Sequence, residues 1–168
     1  MLDRERIIAR FKSYVEIETT SAEDLDCFPS SAKELDLARF LVKDLQALGL
    51  ADVEMTEWGY VLATLHANGA EAPVFGLIAH MDTSCEACGA NVKMQIHSNY
   101  NGGNIALSEG IELKPSDFPE LLNYVGQDII TSDGTTLLGA DDKAGVAAIM
   151  TAIEYLMNHY EDFKHGPI

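Results

Sequence analysis

The sequence predicts an α/β fold: a three-layer sandwich in which a mixed, mostly parallel sheet lies between helices on both faces. Three observations carry this. Apolar residues recur at helical spacing near the N-terminus, around residue 40 and after residue 143, and stretches of strand character lie between the second and third of those segments. The run Val74-Phe75-Gly76-Leu77-Ile78-Ala79 is apolar throughout, as expected of a strand covered on both faces by helices. No internal repeat or low-complexity tract interrupts the alternation.

Ile7, Ile8, Phe11, Tyr14 and Val15 follow Asp3, a residue suited to an N-cap, and predict an opening helix of about four turns. Ser31-Ala32-Lys33-Glu34 has the form of a capping box. The stripe Leu35, Ala38, Leu41, Leu45 and Leu48 extends it into a second helix that Gly49 should end. From Asp52 the period falls to two, with strands around a Trp58-Gly59 turn and a further turn at Asn68-Gly69. Residues 83–128 are rich in Gly, Asn and Ser and long for a connection, so they form a functional loop or hold short strands and turns. Asp133-Gly134, between Ile129-Ile130-Thr131 and Thr135-Thr136-Leu137-Leu138, predicts a hairpin. Ala144, Val146, Ala147, Met150, Ile153, Leu156 and Met157 then predict a third, largely buried helix starting near Asp142 and ended by Lys164-His165-Gly166-Pro167.

At 168 residues the chain is about one domain long; a domain of that size buries roughly 68–70% of its unfolded surface. Eleven basic residues face 27 acidic ones, a net charge of −16, which argues against a nucleic-acid partner because phosphates are gripped by clustered Lys and Arg. The mixed-charge start from Met1 to Arg6 lacks the apolar stretch of a signal peptide, and no window reaches the roughly 18 apolar residues of a membrane span. Three cysteines, Cys27, Cys85 and Cys88, are too few and too odd for a disulfide framework, so a cytoplasmic protein is expected. Cys85-x-x-Cys88 has no second pair for a zinc knuckle, and the Gly89-Ala90-Asn91 that follows reads as loop rather than the helix a redox motif needs.

Two stations carry chemistry. His80 ends the apolar run, and Asp82 is two residues on, the spacing that returns a strand side chain to the same face. One imidazole nitrogen can then bind a metal while a carboxylate fixes the other. Asp141 sits where a strand should pass into the third helix, free to bridge two cations, with Asp142 capping the helix and Lys143 and Gly145 shaping the turn. Each pattern alone is more often structural: a satisfied histidine beside a turn-capping Asp, or an ordinary N-cap. Their joint occurrence favours a metal site. His66, His97, His159 and His165 have no spaced partner and read as surface or packing residues.

Gly76-Leu77-Ile78-Ala79-His80-Met81-Asp82-Thr83-Ser84, Asn101-Gly102-Gly103-Asn104-Ile105-Ala106-Leu107, Thr131-Ser132-Asp133-Gly134-Thr135-Thr136-Leu137-Leu138 and Gly139-Ala140-Asp141-Asp142-Lys143-Ala144-Gly145 occur in that order. Together they resemble the tripeptide-aminopeptidase branch of the di-zinc metallopeptidase family. The resemblance covers essentially the whole chain, and its last segment is the most specific. It implies the phosphorylase/hydrolase-like fold of zinc peptidases and release of the N-terminal residue from tripeptides by zinc-activated water. His80 would bind one zinc, Asp141 would bridge both, and Asp82 would act as a catalytic-site residue by supporting His80. A cis peptide at Asp141-Asp142 is implied as well. Cobalt or manganese would also suit imidazole and carboxylate donors.

The resemblance further implies that residues 1–168 are the N-terminal portion of the catalytic domain. The general base, the remaining ligands and a smaller lid domain would lie beyond Ile168, and Glu154 and Glu161 do not replace them. Two ligands without a base should bind zinc weakly and hydrolyse little. A non-catalytic remnant, or a metal- or peptide-binding module of the same fold, is the alternative. A phospho-receiver is excluded by order, since Asp141, Asp142 and Lys143 are contiguous and late. The expected partner is a small peptide, with neither nucleic acid nor membrane, and an apolar sheet edge is expected to favour a homo-oligomer.

Overall fold

In a computed structural model that describes residues 3–23 and 25–168, helix α1 spans Arg4–Val15. Met1, at the start of the segment read above for export signals, lies outside the described residues, as do Leu2 and Asp24. The Asp3 carboxylate accepts from the amides of Glu5 and Arg6, donors that a first turn cannot satisfy by itself. Helix α1 has 12 residues, somewhat fewer than its apolar stripe suggested. Helix α2 spans Glu34–Ala47. Glu34 reaches back to the Ser31 amide at 3.1 Å, half of the expected capping box, while the Ser31 hydroxyl meets the Lys33 amide instead of returning the bond. Gly49, at φ +93°, ends α2: its amide bonds the Gln46 carbonyl and the Leu50 amide reaches back to Leu45, a double closure that needs a left-handed residue.

Among the described residues the strands form three two-stranded antiparallel sheets. Strands β1 (Asp52–Met55) and β2 (Val61–Thr64) pair around the Trp58-Gly59 turn. The long segment holds β3 (Gln95–His97), β4 (Ile105–Ser108), β5 (Ile111–Leu113) and a 3-10 helix at Pro119–Tyr124; β4 pairs with β5 across a bulge, and β3 pairs with β6 (Ile129–Thr131). One isolated parallel bridge joins Thr20 to Thr83.

Two local expectations are corrected. Val74–Ala79 forms no ladder and is not covered: Ile78 is 94% and Val74 75% exposed. An apolar run becomes a buried strand only when neighbours bond its backbone and cover its faces. Here the Phe75 amide bonds the Pro167 carbonyl, while Leu65 and Ile168 exchange a bonded pair beside it. The Asp133-Gly134 turn joins no hairpin. Asp133 turns its carboxylate onto the amide and hydroxyl of Thr135, and the Ser132 hydroxyl bonds the Thr136 carbonyl, so local side-chain bonds replace a ladder and the chain runs on into α3.

Helix α3 (Ala140–Asn158) packs against α1, and α2 covers β1 and β2. Phe11, Tyr14 and Val15 meet Leu37, Leu41 and Leu45, and Val146, Ala147, Met150 and Ile153 of α3 join the same core; Ala144 faces out. A charged group crosses this interface. Arg10, 6% exposed, donates to the Thr151 hydroxyl and to Glu154, each at 2.9 Å, and lies 3.5 Å from Asp44, which also accepts from Tyr14. A buried guanidinium is tolerable only with such saturation, and here it ties all three helices together.

Candidate metal site

The N-terminal end of α3 positions one station. Gly139 precedes it at φ +76°, and Asp141 and Asp142 depart from helical dihedrals across a cis peptide bond, so the regular helix begins at Lys143. Asp142 then serves as the cap: its Oδ1 accepts from the Gly145 amide at 3.1 Å. A Cβ on Gly145 would collide with that carboxylate, which is why the third residue of the helix has no side chain. Asp141 is left without a structural task in the turn, and its side chain is 95% exposed.

The second station meets it. His80 Nε2 lies 2.9 Å from Asp141 Oδ1, and His80 Nδ1 lies 3.1 Å from Asp82 Oδ1 and 3.2 Å from the Asp82 carbonyl. The Asp82 carbonyl and the two carboxylates, when ionised, only accept, so this arrangement favours hydrogen on the ring nitrogens. Burial opposes the imidazolium, yet the Asp141 hydrogen bond and the Asp82 charge and carbonyl outweigh it and raise the His80 pKa above its ordinary value. The structure thus brings together all three residues singled out in the sequence, across 61 positions of chain.

Side chains with no hydropathy signal connect the stations. Lys143, 1% exposed, donates through Nζ to the Ile17 carbonyl at 2.7 Å, and desolvation lowers its pKa to about 8 although Glu18 opposes the shift. Thr19, fully buried, donates to the Met81 carbonyl at 2.7 Å. The sequence marked Lys143 only as shaping a turn, and Thr19 lay in an unassigned polar stretch. The remaining histidines are engaged elsewhere: His66 with Asp52, His97 with Thr131, His159 stacked on Tyr155, and His165 through Nδ1 with the Gly166 carbonyl. Cys27, Cys85 and Cys88 are free and exposed, and no helix begins at Cys85.

The donors fit a metal as far as they go. Imidazole nitrogen and carboxylate oxygen are the atoms that zinc, cobalt and manganese accept, and here they lie 2.9 Å apart on exposed side chains. Among the described residues no group of three or more His, Cys, Asp or Glu side chains is placed to hold an ion. A cleft of about 740 Å³ borders His80 and Asp82 and is walled by Val74, Phe75, Leu62 and Ile149. An imidazole paired with a carboxylate at an open edge is a donor set that metal-dependent hydrolases use, among other metal proteins.

Comparison with known proteins narrows that class. No family model matches the chain. It is 54% identical over 166 residues to peptidase T of Caldanaerobacter subterraneus, covering 97% of this chain and 40% of that protein. It is 52% identical to peptidase T of Halothermothrix orenii, with the same two coverages. The crystal structure of a tripeptidase from Staphylococcus aureus superposes with a TM-score of 0.63 at 26% identity, covering 100% of this chain and 35% of that one. The chain is therefore a homologue of peptidase T over nearly its whole length and spans about two fifths of the relatives it matches. No helix among the described residues is long and apolar enough to cross a membrane.

Proposed function

We propose that this chain is the metal-binding portion of a cytoplasmic tripeptide aminopeptidase, a hydrolase that releases the N-terminal residue of a tripeptide. The reading is carried by one observation: His80, at the end of the 74–79 run, and Asp141, at the start of α3, meet at 2.9 Å with Asp82 behind the ring. The similarity to peptidase T supports it.

In this site His80 would hold one zinc through Nε2 and Asp141 would bridge two. Bound zinc supplies Lewis acidity and lowers the pKa of water, and cobalt or manganese can do the same. The protein's part is geometric and protonic. Asp82 accepts from Nδ1–H and so fixes the ring plane and the tautomer, leaving Nε2 as the donor atom. Nε2 faces Asp141 at 2.9 Å, so any proton held between them would leave when a metal binds. Asp142, engaged with Gly145, holds the start of α3 beneath Asp141.

Two donors fall short of the four that close a tetrahedral site. On this reading residues 1–168 are the N-terminal portion of the catalytic domain. The general base, the other ligands and a lid would then come from outside the two fifths of the relatives that this chain spans. The three-layer sandwich is then a property of the longer chain, whose further strands would flank Val74–Ala79 and convert the separate ladders into one sheet.

The test is twofold. Cobalt(II) titrated into this chain should bind weakly with visible absorption, and His80→Ala and Asp141→Ala should each abolish it; binding untouched by both variants overturns the ligand assignment. Zinc-dependent hydrolysis of a tripeptide should appear in a polypeptide extended to the length of the relatives and be nearly absent from this chain. Equal activity in both would overturn the division of labour, and none in either would favour a binding module.

A further inference from the structure

The Val74–Ala79 run lacks a ladder, so something else must hold His80 and Asp82 in place. The five residues Ile17–Ser21, immediately after α1, do this from both sides. At one end the Ile17 carbonyl accepts from Lys143, the first regular residue of α3 after Asp142. In the middle, the Thr19 hydroxyl donates to the carbonyl of Met81, the residue between His80 and Asp82, and the Thr83 amide donates to the Thr19 carbonyl at 3.0 Å. At the far end the Ser21 amide and hydroxyl both donate to the Thr83 carbonyl, at 2.9 and 3.0 Å. Thr19, Thr83 and Lys143 are 0%, 4% and 1% exposed, so these bonds are made where water does not compete. Gly139 presses on Thr83 from the α3 side, where a Cβ would stand 3.1 Å from the Thr83 methyl.

We infer that Ile17–Ser21 is a strap that sets the separation of the two metal stations, and that Thr19 and Lys143 are positioning residues for metal binding. The inference rests on the reading of His80 and Asp141 as ligands. Metal sites respond to the groups that orient their ligands, and loss of one such partner typically lowers affinity about 10- to 100-fold. The strap is the connection through which a bond on the Met81 peptide reaches the start of α3.

The test compares Thr19→Val, which keeps the shape and removes the donor, with Thr19→Ser, which keeps the donor, on this chain. Amide resonances of Asp142 and Gly145 in the metal-free chain should shift in Thr19→Val and stay at parent positions in Thr19→Ser. Cobalt(II) affinity should fall about tenfold in Thr19→Val and return to within twofold of the parent in Thr19→Ser. Measurements are made where circular dichroism shows each variant folded; if Thr19→Val does not fold, Lys143→Met replaces it from the other end of the strap, read at the amides of Asp82 and Thr83. Unmoved resonances across the strap overturn the inference, whether or not the parent binds metal. So does full cobalt affinity in Thr19→Val while His80→Ala abolishes binding, an outcome that leaves the ligand assignment standing. A Thr19→Ser variant as weak as Thr19→Val also overturns it, because a lost donor would then not be the cause.

Discussion

The two stations of the site rest on opposite kinds of support. Asp141 stands on α3, whose buried face packs into the core with α1 and whose start is capped, while His80 ends an apolar run with Ile78 94% exposed. The run 74–79 is the more uniformly apolar of the two stretches, yet it lacks the partners that α3 has. An apolar side chain stabilises a fold only by the area that neighbours remove from water, so the run 74–79 contributes little to this chain however strand-like its composition. Its ligand is held by hydrogen bonds from the Ile17–Ser21 strap instead.

That contrast can be broken experimentally. Ile153→Ala, on the buried face of α3, should destabilise the chain by about 3 kcal/mol in urea unfolding, whereas a cost under about 1 kcal/mol would mean that α3 is not the supported element. Arg10→Ala leaves Asp44 without its cation and Glu154 with Arg6 alone, and should cost about 2–3 kcal/mol, measured the same way, with part of the loss relieved by solvent at the carboxylates. Gly139→Ala places a side chain at φ +76° against Thr83 and should cost about 1–2 kcal/mol; a neutral result would show that the junction between the stations is loose.

A smaller effect follows pH. The Arg6 hydrogen bond, joined by Arg10 and opposed by partial burial, lowers the Glu154 pKa below its ordinary 4.5. A depressed carboxyl pKa contributes stability that is complete above the unfolded value and is lost as pH falls through the folded one. Urea midpoints of the parent should therefore drop below about pH 4.5, and Glu154→Gln should flatten that drop; identical pH profiles would remove Glu154 from the clamp. The smallest effect is expected for Ile78→Ala, within about 0.5 kcal/mol of the parent, and a core-sized loss there would show that the run is covered after all.

The helices were legible because their signals are local. Asp3, Glu34 and Gly49 act within a few residues of themselves, and the stripes of α1, α2 and α3 each bury a face. The site was legible for a different reason: imidazole and carboxylate at the end of an apolar run and at the start of a helix are chemistry before they are geometry. The Asp133 turn was misread because a ladder and a set of side-chain bonds compete for the same backbone, and only the folded geometry shows which wins.

The sequence by itself determined the helices, the β1–β2 hairpin and the acidic composition, and it nominated His80, Asp82 and Asp141 as candidates for one site. Tertiary structure alone decided that the run before His80 lies uncovered, that Arg10 joins three helices, and that Thr19 and Lys143 bind the stations from behind. The physical reason is range. Periodicity and capping depend on neighbours in the chain, whereas burial and a hydrogen bond from Lys143 to Ile17, 126 residues away, depend on neighbours in space.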